Sequence, residues 1–290
     1  MPVALVTGAS TGVGRATALR LAKGGWTVLA GVREPAAGER LEAEAGAEAG
    51  KGGRLLPLSL DVTDSEQIAR AAQTVAEETA LTGGPAAGRL DALVNNAGIG
   101  VGGPLELVEL DDLRWQFEVN VFGQVAMTQA MLPALRRAHG RIVLVSSIGG
   151  RVAMPFTAPY AASKHALEAI GDTLRVELRR SNVRVAIIEM ASVATPIWDK
   201  AQADADRVSV PPELQAEYGQ VPAAMEKVLR DAAARGIPAE QVAEAIERAL
   251  SAPRMKARYL VGGQARGMLL AKRLLPDLLF DRLAQRAMGV

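Results

Sequence analysis

Residues 3–14 read VALVTGASTGVG, and residues 14–25 continue as GRATALRLAKGG. The apolar run predicts a buried strand, and the segment after the turn predicts a helix that ends at Gly24 and Gly25. Between them, Gly8, Gly12 and Gly14 form a glycine-rich turn at the helix start. Small residues at such a turn let the backbone approach a pyrophosphate, and the helix N-terminus supplies free N–H groups and a positive dipole end. Glycines alone could simply make a tight turn; the strand before and the helix after them carry the nucleotide-binding reading. The spacing is neither G-x-G-x-x-G nor G-x-x-x-x-G-K-[ST], which argues against a kinase or an NTPase.

The same alternation continues outward from this turn. WTVLAGVR (26–33), GRLLPLSLDV (53–62), LDALVNNAG (90–98), GRIVLVSS (140–147) and NVRVAIIE (182–189) read as further strands. Between them lie helical patterns: an Ala/Glu-rich stretch from residue 35 and a run with Ile68, Ala72, Val75 and Thr79 at helical intervals. A long helix is expected around residues 113–132, and a helix from near Tyr160 carries Leu167, Ile170, Leu174 and Leu178 on one stripe. Unbroken βαβ succession predicts an α/β fold with a doubly wound parallel sheet of Rossmann type. No linker divides it, so residues 1–267 read as one domain. The proline-rich segment 196–238 is expected to be a helical substrate lid, followed by an amphipathic helix (239–250) and a last strand in ARYLVGG (257–263).

Composition agrees with this class. Hydrophobic residues make up 49% of the 290 and aromatics only 3%, so the core is aliphatic, as in sheets covered on both faces. With 33 basic and 32 acidic residues the net charge is +1, which leaves no large field to steer nucleic acid or an anionic membrane and only room for local patches. There is no cysteine, so thiol chemistry is excluded; His139 and His165 are the only histidines, so no metal site is expected. The opening MPVALVTGAS shows no basic leader with an apolar run, and no stretch approaches 18 uncharged apolar residues. A cytoplasmic location is the expectation.

Two features bear on chemistry. In PYAASKHAL, Tyr160 and Lys164 stand just over one helical turn apart and share a face. A neighbouring ammonium favours ionisation of a phenol, whose free pKa is about 10, and so suits it to acid–base work. The pair alone could equally be an ordinary solvated one. At the end of the second strand, Arg33 occupies the place where a carboxylate would hold the ribose diol of NAD; an arginine suits a 2′-phosphate, so NADP(H) is favoured, with NAD(H) as the alternative.

Taken in order, the glycine turn, NNAG, the paired serines and Tyr-x-x-x-Lys make the chain resemble a classical short-chain dehydrogenase/reductase, from Val3 to about Gly263. The resemblance implies a catalytic set of Asn120, Ser147, Tyr160 and Lys164, with Ser147 thirteen residues before Tyr160. Tyr160 would give or take the proton, Lys164 would lower its pKa and bind the nicotinamide ribose, Ser147 would polarise the carbonyl, and Asn120 would hold a water beyond Lys164. It implies cofactor contacts from Gly8, Ser10, Thr11, Gly12, Val13 and Gly14, from Arg33, from Asp61 and Val62 at the adenine, from Asn95, Ala97 and Gly98, and from Val193 and Thr195. Tyr160 and Lys164 belong to both sets. One departure is clear: Met190 and Ala191 stand where the family usually carries Pro-Gly.

The stretches 145–167 and 193–200 are most similar to the branch related to retinol and hydroxysteroid dehydrogenases, which implies a hydrophobic secondary alcohol, ketone or aldehyde as substrate. In the lid, Trp198, Tyr218 and Met225 are candidate pocket residues. The ending MLLAKRLLPDLLFDRLAQRAM (268–288) repeats leucine at 270, 274 and 278 with Leu275, Leu279 and Phe280 beside them, and Pro276 should begin or kink a helix there. Such a tail (268–290) is expected to cover the pocket or an interface of a homodimer or homotetramer; its mixed charge ranks a membrane surface behind these. The competing readings are a nucleotide-binding sensor or scaffold that has lost turnover, supported by Met190-Ala191, and a sugar-nucleotide epimerase.

Overall fold

A computed structural model of the chain describes residues 1–47, 52–80, 88–195 and 210–288. The opening run forms β1 (Val3–Val6), buried throughout, and the glycine turn leads into α1 (Gly12–Lys23). The chain then runs through β2 (Thr27–Val32), α2 (Pro35–Ala47), β3 (Arg54–Ser59), α3 (Ser65–Ala80) and β4 (Ala92–Asn95). After α4 (Leu110–Phe117) and α5 (Gly123–Ala138) come β5 (Arg141–Val145), α6 (Ala158–Glu177) and β6 (Arg184–Met190). It closes with α7 (Val221–Arg235), α8 (Ala239–Ser251), β7 (Arg258–Val261), α9 (Gly263–Leu274) and α10 (Asp277–Met288).

The strands form one parallel sheet in the order β3-β2-β1-β4-β5-β6-β7. Because β2 reads TVLAGV with every residue buried, it must be covered on both faces. One face packs Leu21, Ile188, Val242 and Ile246 beneath α1 and α8; the other packs Leu93, Met127, Met131, Ile142 and Leu167 beneath α3, α5 and α6. Strand order reverses between β1 and β4, which opens a crevice at their C-terminal ends.

Three details differ from the sequence expectation or add to it. The long helix expected at 113–132 is interrupted: a π-helical turn at Glu118–Phe122 joins α4 to α5, and such widened turns concentrate at functional positions. The Met190-Ala191 departure is absorbed by lengthening β6. Met190 pairs with Val261 and the Ala191 N–H donates to the Val261 carbonyl at 3.0 Å. Gly262, at φ 101°, leaves the room: a Cβ there would lie 2.8 Å from Ala191 Cβ. Residue 267 lies inside α9, so the structure has no break at the expected boundary between domain and tail.

The tail is two helices, with Pro276 starting the second: the N–H groups of Leu279 and Phe280 bond its carbonyl. Phe280 and Ala284 bury against Val152, with Ile148, Met154, Leu269 and Leu275 around them. The tail therefore rests on the loop that follows β5. Trp198 and the first part of the expected lid fall outside the described residues. Among the described residues no helix is long and apolar enough to cross a membrane, and no cluster of His, Asp or Glu could hold a metal.

Candidate active site

The crevice is held together by a residue that sequence inspection passed over. Thr7, fully buried, accepts with Oγ1 from the N–H groups of Asn96 (2.9 Å) and Ala97 (3.0 Å). In return Asn96 Nδ2 donates to the carbonyls of Thr7 (2.9 Å) and Gly8 (3.1 Å). These bonds lock the ends of β1 and β4 together and leave no space beside the turn. A Cβ on Gly14 would sit 2.1 Å from the Gly8 carbonyl oxygen. Gly8 and Gly12 adopt φ of +64° and +54°, which side chains rarely tolerate. No side chain caps α1 at Thr11, so no cap takes up the N–H groups of its first turn.

The other expected cofactor contacts divide. Ser10, Thr11 and Gly12 are accessible at the turn; Val13 is buried, so it can offer only backbone. Thr195 packs its methyl over Gly12, at 3.0 Å from where a Cβ would be, and Val193 is buried and bridged to Ile237. Arg33 is exposed just beyond β2, with no ion-pair partner among the described residues. Asp61 spends one carboxylate oxygen on the Thr63 N–H (3.0 Å) and hydroxyl (2.8 Å), and Val62 packs against Gly123. Ala97 and Gly98 line the crevice, but Asn95 is fully buried and its Nδ2 donates to Thr128 Oγ1 at 2.8 Å. Its side chain fastens β4 to α5 and does not face the crevice.

A dinucleotide fits these groups: a turn without side chains beside free helix N–H groups for the pyrophosphate, and at Arg33 a cation where a carboxylate would repel a 2′-phosphate. The fit rests on the cradle that a Cβ at Gly8 or Gly14 would fill.

Ser147, Tyr160, Lys164 and Asn120 converge next to this crevice. Ser147 follows β5 and its Oγ accepts the Gly149 N–H at 3.1 Å. Tyr160 lies in the first turn of α6, against Gly149, where a Cβ would be 3.1 Å from the ring. Lys164, one turn on, is buried; its Nζ donates to the Val145 carbonyl at 3.0 Å and stands 5.7 Å from the Tyr160 ring centre. Burial brings its pKa down to about 8, opposed by the Glu168 carboxylate. Burial also pushes the Tyr160 phenol up, and the hydrogen bond with Ser147 pulls it part of the way back. In this state the ammonium is turned to a carbonyl of β5, and burial is the larger influence on the Tyr160 phenol.

Asn120 sits in the π-helical turn. Its Oδ1 accepts the Ile99 N–H (2.9 Å), and its Nδ2 donates to the Ile99 carbonyl (3.0 Å) and to Ser163 Oγ (3.1 Å). The widened turn aims this side chain at the loop after β4 and at α6 together. Gly98 opens the gap between Asn120 and Lys164, since a Cβ there would lie 3.2 Å from Oδ1 and 3.7 Å from Nζ.

Behind Lys164 lies an ion network with no sequence signal. Arg258 of β7 reaches Glu168 (3.0 Å), Asp172 (2.8 Å) and Glu189 (3.0 Å), and Arg151 also pairs with Glu189 at 2.8 Å. Burial pushes the Glu168 carboxyl up, while Ser146 and Arg258 hold it down. Glu168 Oε1 and Ser146 Oγ are both buried without a well-formed hydrogen bond. Only folding brings Arg258 to Glu168, so their distance in sequence hid the cluster.

A model of the short chain dehydrogenase family matches residues 2–206. The chain belongs to that family. Among its relatives is an NADPH-dependent 3-dehydrocapnine reductase of Ornithobacterium rhinotracheale, 32% identical over 98% of this chain and 96% of that protein. The human 17-beta-hydroxysteroid dehydrogenase type 1 is 37% identical over 89% of this chain and 76% of its own length. Among solved structures, a short chain dehydrogenase/reductase of Burkholderia phymatum in complex with NAD superposes with a TM-score of 0.76 and 27% identity, covering 93% of this chain and 91% of that one. Membership makes the chain an oxidoreductase of the short-chain type.

Proposed function

We propose that this short-chain dehydrogenase uses NADP(H) to interconvert a hydrophobic secondary alcohol and its ketone, or an aldehyde counterpart, with Tyr160 as the acid–base group. The observation that carries the reading is the convergence of Ser147, Tyr160, Lys164 and Asn120 beside a side-chain-free nucleotide turn. When bound, the cofactor supplies or accepts the hydride. Around it the protein's own residues manage one proton. The Tyr160 hydroxyl, kept protonated by burial, donates to the forming alkoxide in reduction, and its phenolate takes the alcohol's proton in oxidation. Ser147 holds the substrate oxygen and supports its developing charge. Lys164, still largely cationic at neutral pH, stabilises a phenolate as it forms. Asn120 retains one lone pair on Oδ1 after its bonds to Ile99, enough to hold a water on the path from Lys164.

Arg33 supports NADP(H), as does the similarity to the NADPH-dependent 3-dehydrocapnine reductase; the NAD complex of the Burkholderia phymatum relative keeps NAD(H) as the alternative. The hydrophobic substrate is supported by the apolar rim formed by Ile148 and Met154 beneath the tail. Met225 adds to it, with its Cε 3.0 Å from where a Cβ on Gly102 would be. Tyr218 instead donates to Glu106 at 2.9 Å and is committed to the surface. Turnover is favoured over a sensor role because Met190 and Ala191 are taken up by pairing with Val261 while Asn120, Ser147, Tyr160 and Lys164 are all present.

The test is Tyr160→Phe on a substrate found by screening apolar ketones and alcohols. Turnover should fall by about 10²–10⁴ while cofactor affinity stays within a few-fold. Unchanged kcat would reject the assignment.

A further inference from the structure

The tail helices α9 and α10 bury one side and leave the other uncovered. Phe280, Ala284 and Met288 point inward, whereas Leu270 (57%), Leu274 (68%), Leu278 (76%), Leu279 (46%) and Leu283 (47%) stand exposed. Five exposed leucines on consecutive helices form a surface that a soluble protein seldom leaves bare. Their charged neighbours are sorted. Asp277 and Asp281 lie one turn apart. Asp277 pairs with Lys272 at 2.8 Å, Asp281 also acts on Lys272, and Lys272 stands over the buried Phe280 ring at 5.0 Å. Both acids of α10 are exposed, Asp277 at 85%, and their charge is set against Lys272. Arg266, Arg273, Arg282 and Arg286 are exposed and lack ion-pair partners among the described residues. They fall three or four residues from the exposed leucines, so they share or border the outer face. With the two aspartates set against Lys272, four arginines without ion-pair partners among the described residues remain beside the exposed leucines, an excess of positive charge on an apolar face.

We propose that this face docks on an anionic lipid surface, with the leucines entering the headgroup region and the arginines pairing with lipid phosphates. Leucines alone would also suit a second copy of the chain. The arginines decide against it: a two-fold contact of this face with itself would set like charges against one another. An anionic bilayer supplies both the apolar layer and the opposite charge. The face is continuous with the rim of the catalytic crevice, because Phe280 and Leu275 pack on Ile148, Val152 and Met154, which follow Ser147. Docking there brings the entrance of the site to the membrane, where an apolar substrate would be held. The docking itself does not depend on the hydride chemistry.

Flotation of the full-length protein tests this with two kinds of vesicle, pure phosphatidylcholine and phosphatidylcholine with 30% phosphatidylglycerol. Binding should be at least tenfold stronger to the anionic vesicles and should fall in 0.5 M NaCl; each arginine near the surface contributes roughly fivefold. Replacing Arg266, Arg273, Arg282 and Arg286 by Gln should abolish flotation, and so should Leu270→Ser with Leu274→Ser and Leu279→Ser. All these positions are exposed, so thermal unfolding should be unchanged. Absence of flotation on anionic vesicles, or flotation indifferent to the arginine changes, overturns the proposal. So does a mass by light scattering that is dimeric in the wild type and monomeric in the leucine variant, which would make a second copy the cover.

Discussion

Replacing Gly14 with alanine should damage the fold at the nucleotide turn by an amount that the structure lets one work out. The new Cβ would lie 2.1 Å from the Gly8 carbonyl oxygen and 2.5 Å from Asn96 Nδ2. Ordinary contact needs more than an ångström beyond that, so one of these neighbours must move. Gly8 cannot retreat easily, because a Cβ at its own position already sits 2.9 Å from Ala97 Cα. Displacing Asn96 breaks its bonds to the Thr7 and Gly8 carbonyls, at 2.9 and 3.1 Å. Overpacking costs about 1–3 kcal/mol and each lost neutral hydrogen bond about 0.5–1.5 kcal/mol. Alanine returns up to about 1 kcal/mol of helix propensity. The net loss should be about 2–4 kcal/mol, a large share of a typical 5–15 kcal/mol. Gly267→Ala is the matched control: it lies within α9 with nothing within 4 Å of its Cβ, so it should stabilise by about 0.5–1 kcal/mol. Urea denaturation of both variants measures the difference, and cofactor titration should show weaker binding for Gly14→Ala alone. Equal stability of the two variants would refute the reasoning, because only the crowding at Gly14 separates them.

Stability should respond to pH through Lys164. Its folded pKa of about 8 lies below the unfolded 10.5, so the cost of burying its charge is fully present below pH 8 and disappears as pH rises to 10.5. Relative to Lys164→Met, the wild type should therefore gain on the order of 3 kcal/mol between pH 8 and 10.5, read by denaturant titration at each pH. Arg258→Met should strand buried Glu168 and Glu189, costing about 3–5 kcal/mol by the same measurement, and a loss under 1 kcal/mol would show that the network is not coupled. Arg33→Ala should lower the preference for NADPH over NADH by about ten- to a hundredfold in direct titrations, with little effect on NADH itself.

Local pattern was enough to read the sheet, its parallel winding and the nucleotide turn. Strands buried on both faces must be continuously apolar, and VALV, TVLAGV and ALVN therefore declare themselves without any neighbour being known. Tyr160, Lys164 and Gly14 were legible for a similar reason, since their spacing along one helix or one turn already sets their geometry. Other features depend on partners far away in the chain. Thr7 becomes the clasp of the crevice only when β4 brings Asn96 and Ala97 to it, and Asn95 proves structural only because α5 places Thr128 beneath it. The π-helical turn that aims Asn120 has no compositional mark, because it reflects the demand of two neighbouring segments on one side chain. The tail shows the division most plainly. Its leucines, arginines and aspartates are all visible in the sequence, but charge cancels or accumulates according to which side of a helix faces the protein. Only the packing of Phe280 and Ala284 on Val152 fixes that side, setting the exposed Asp277 against Lys272 and leaving arginines without ion-pair partners among the described residues beside the exposed leucines.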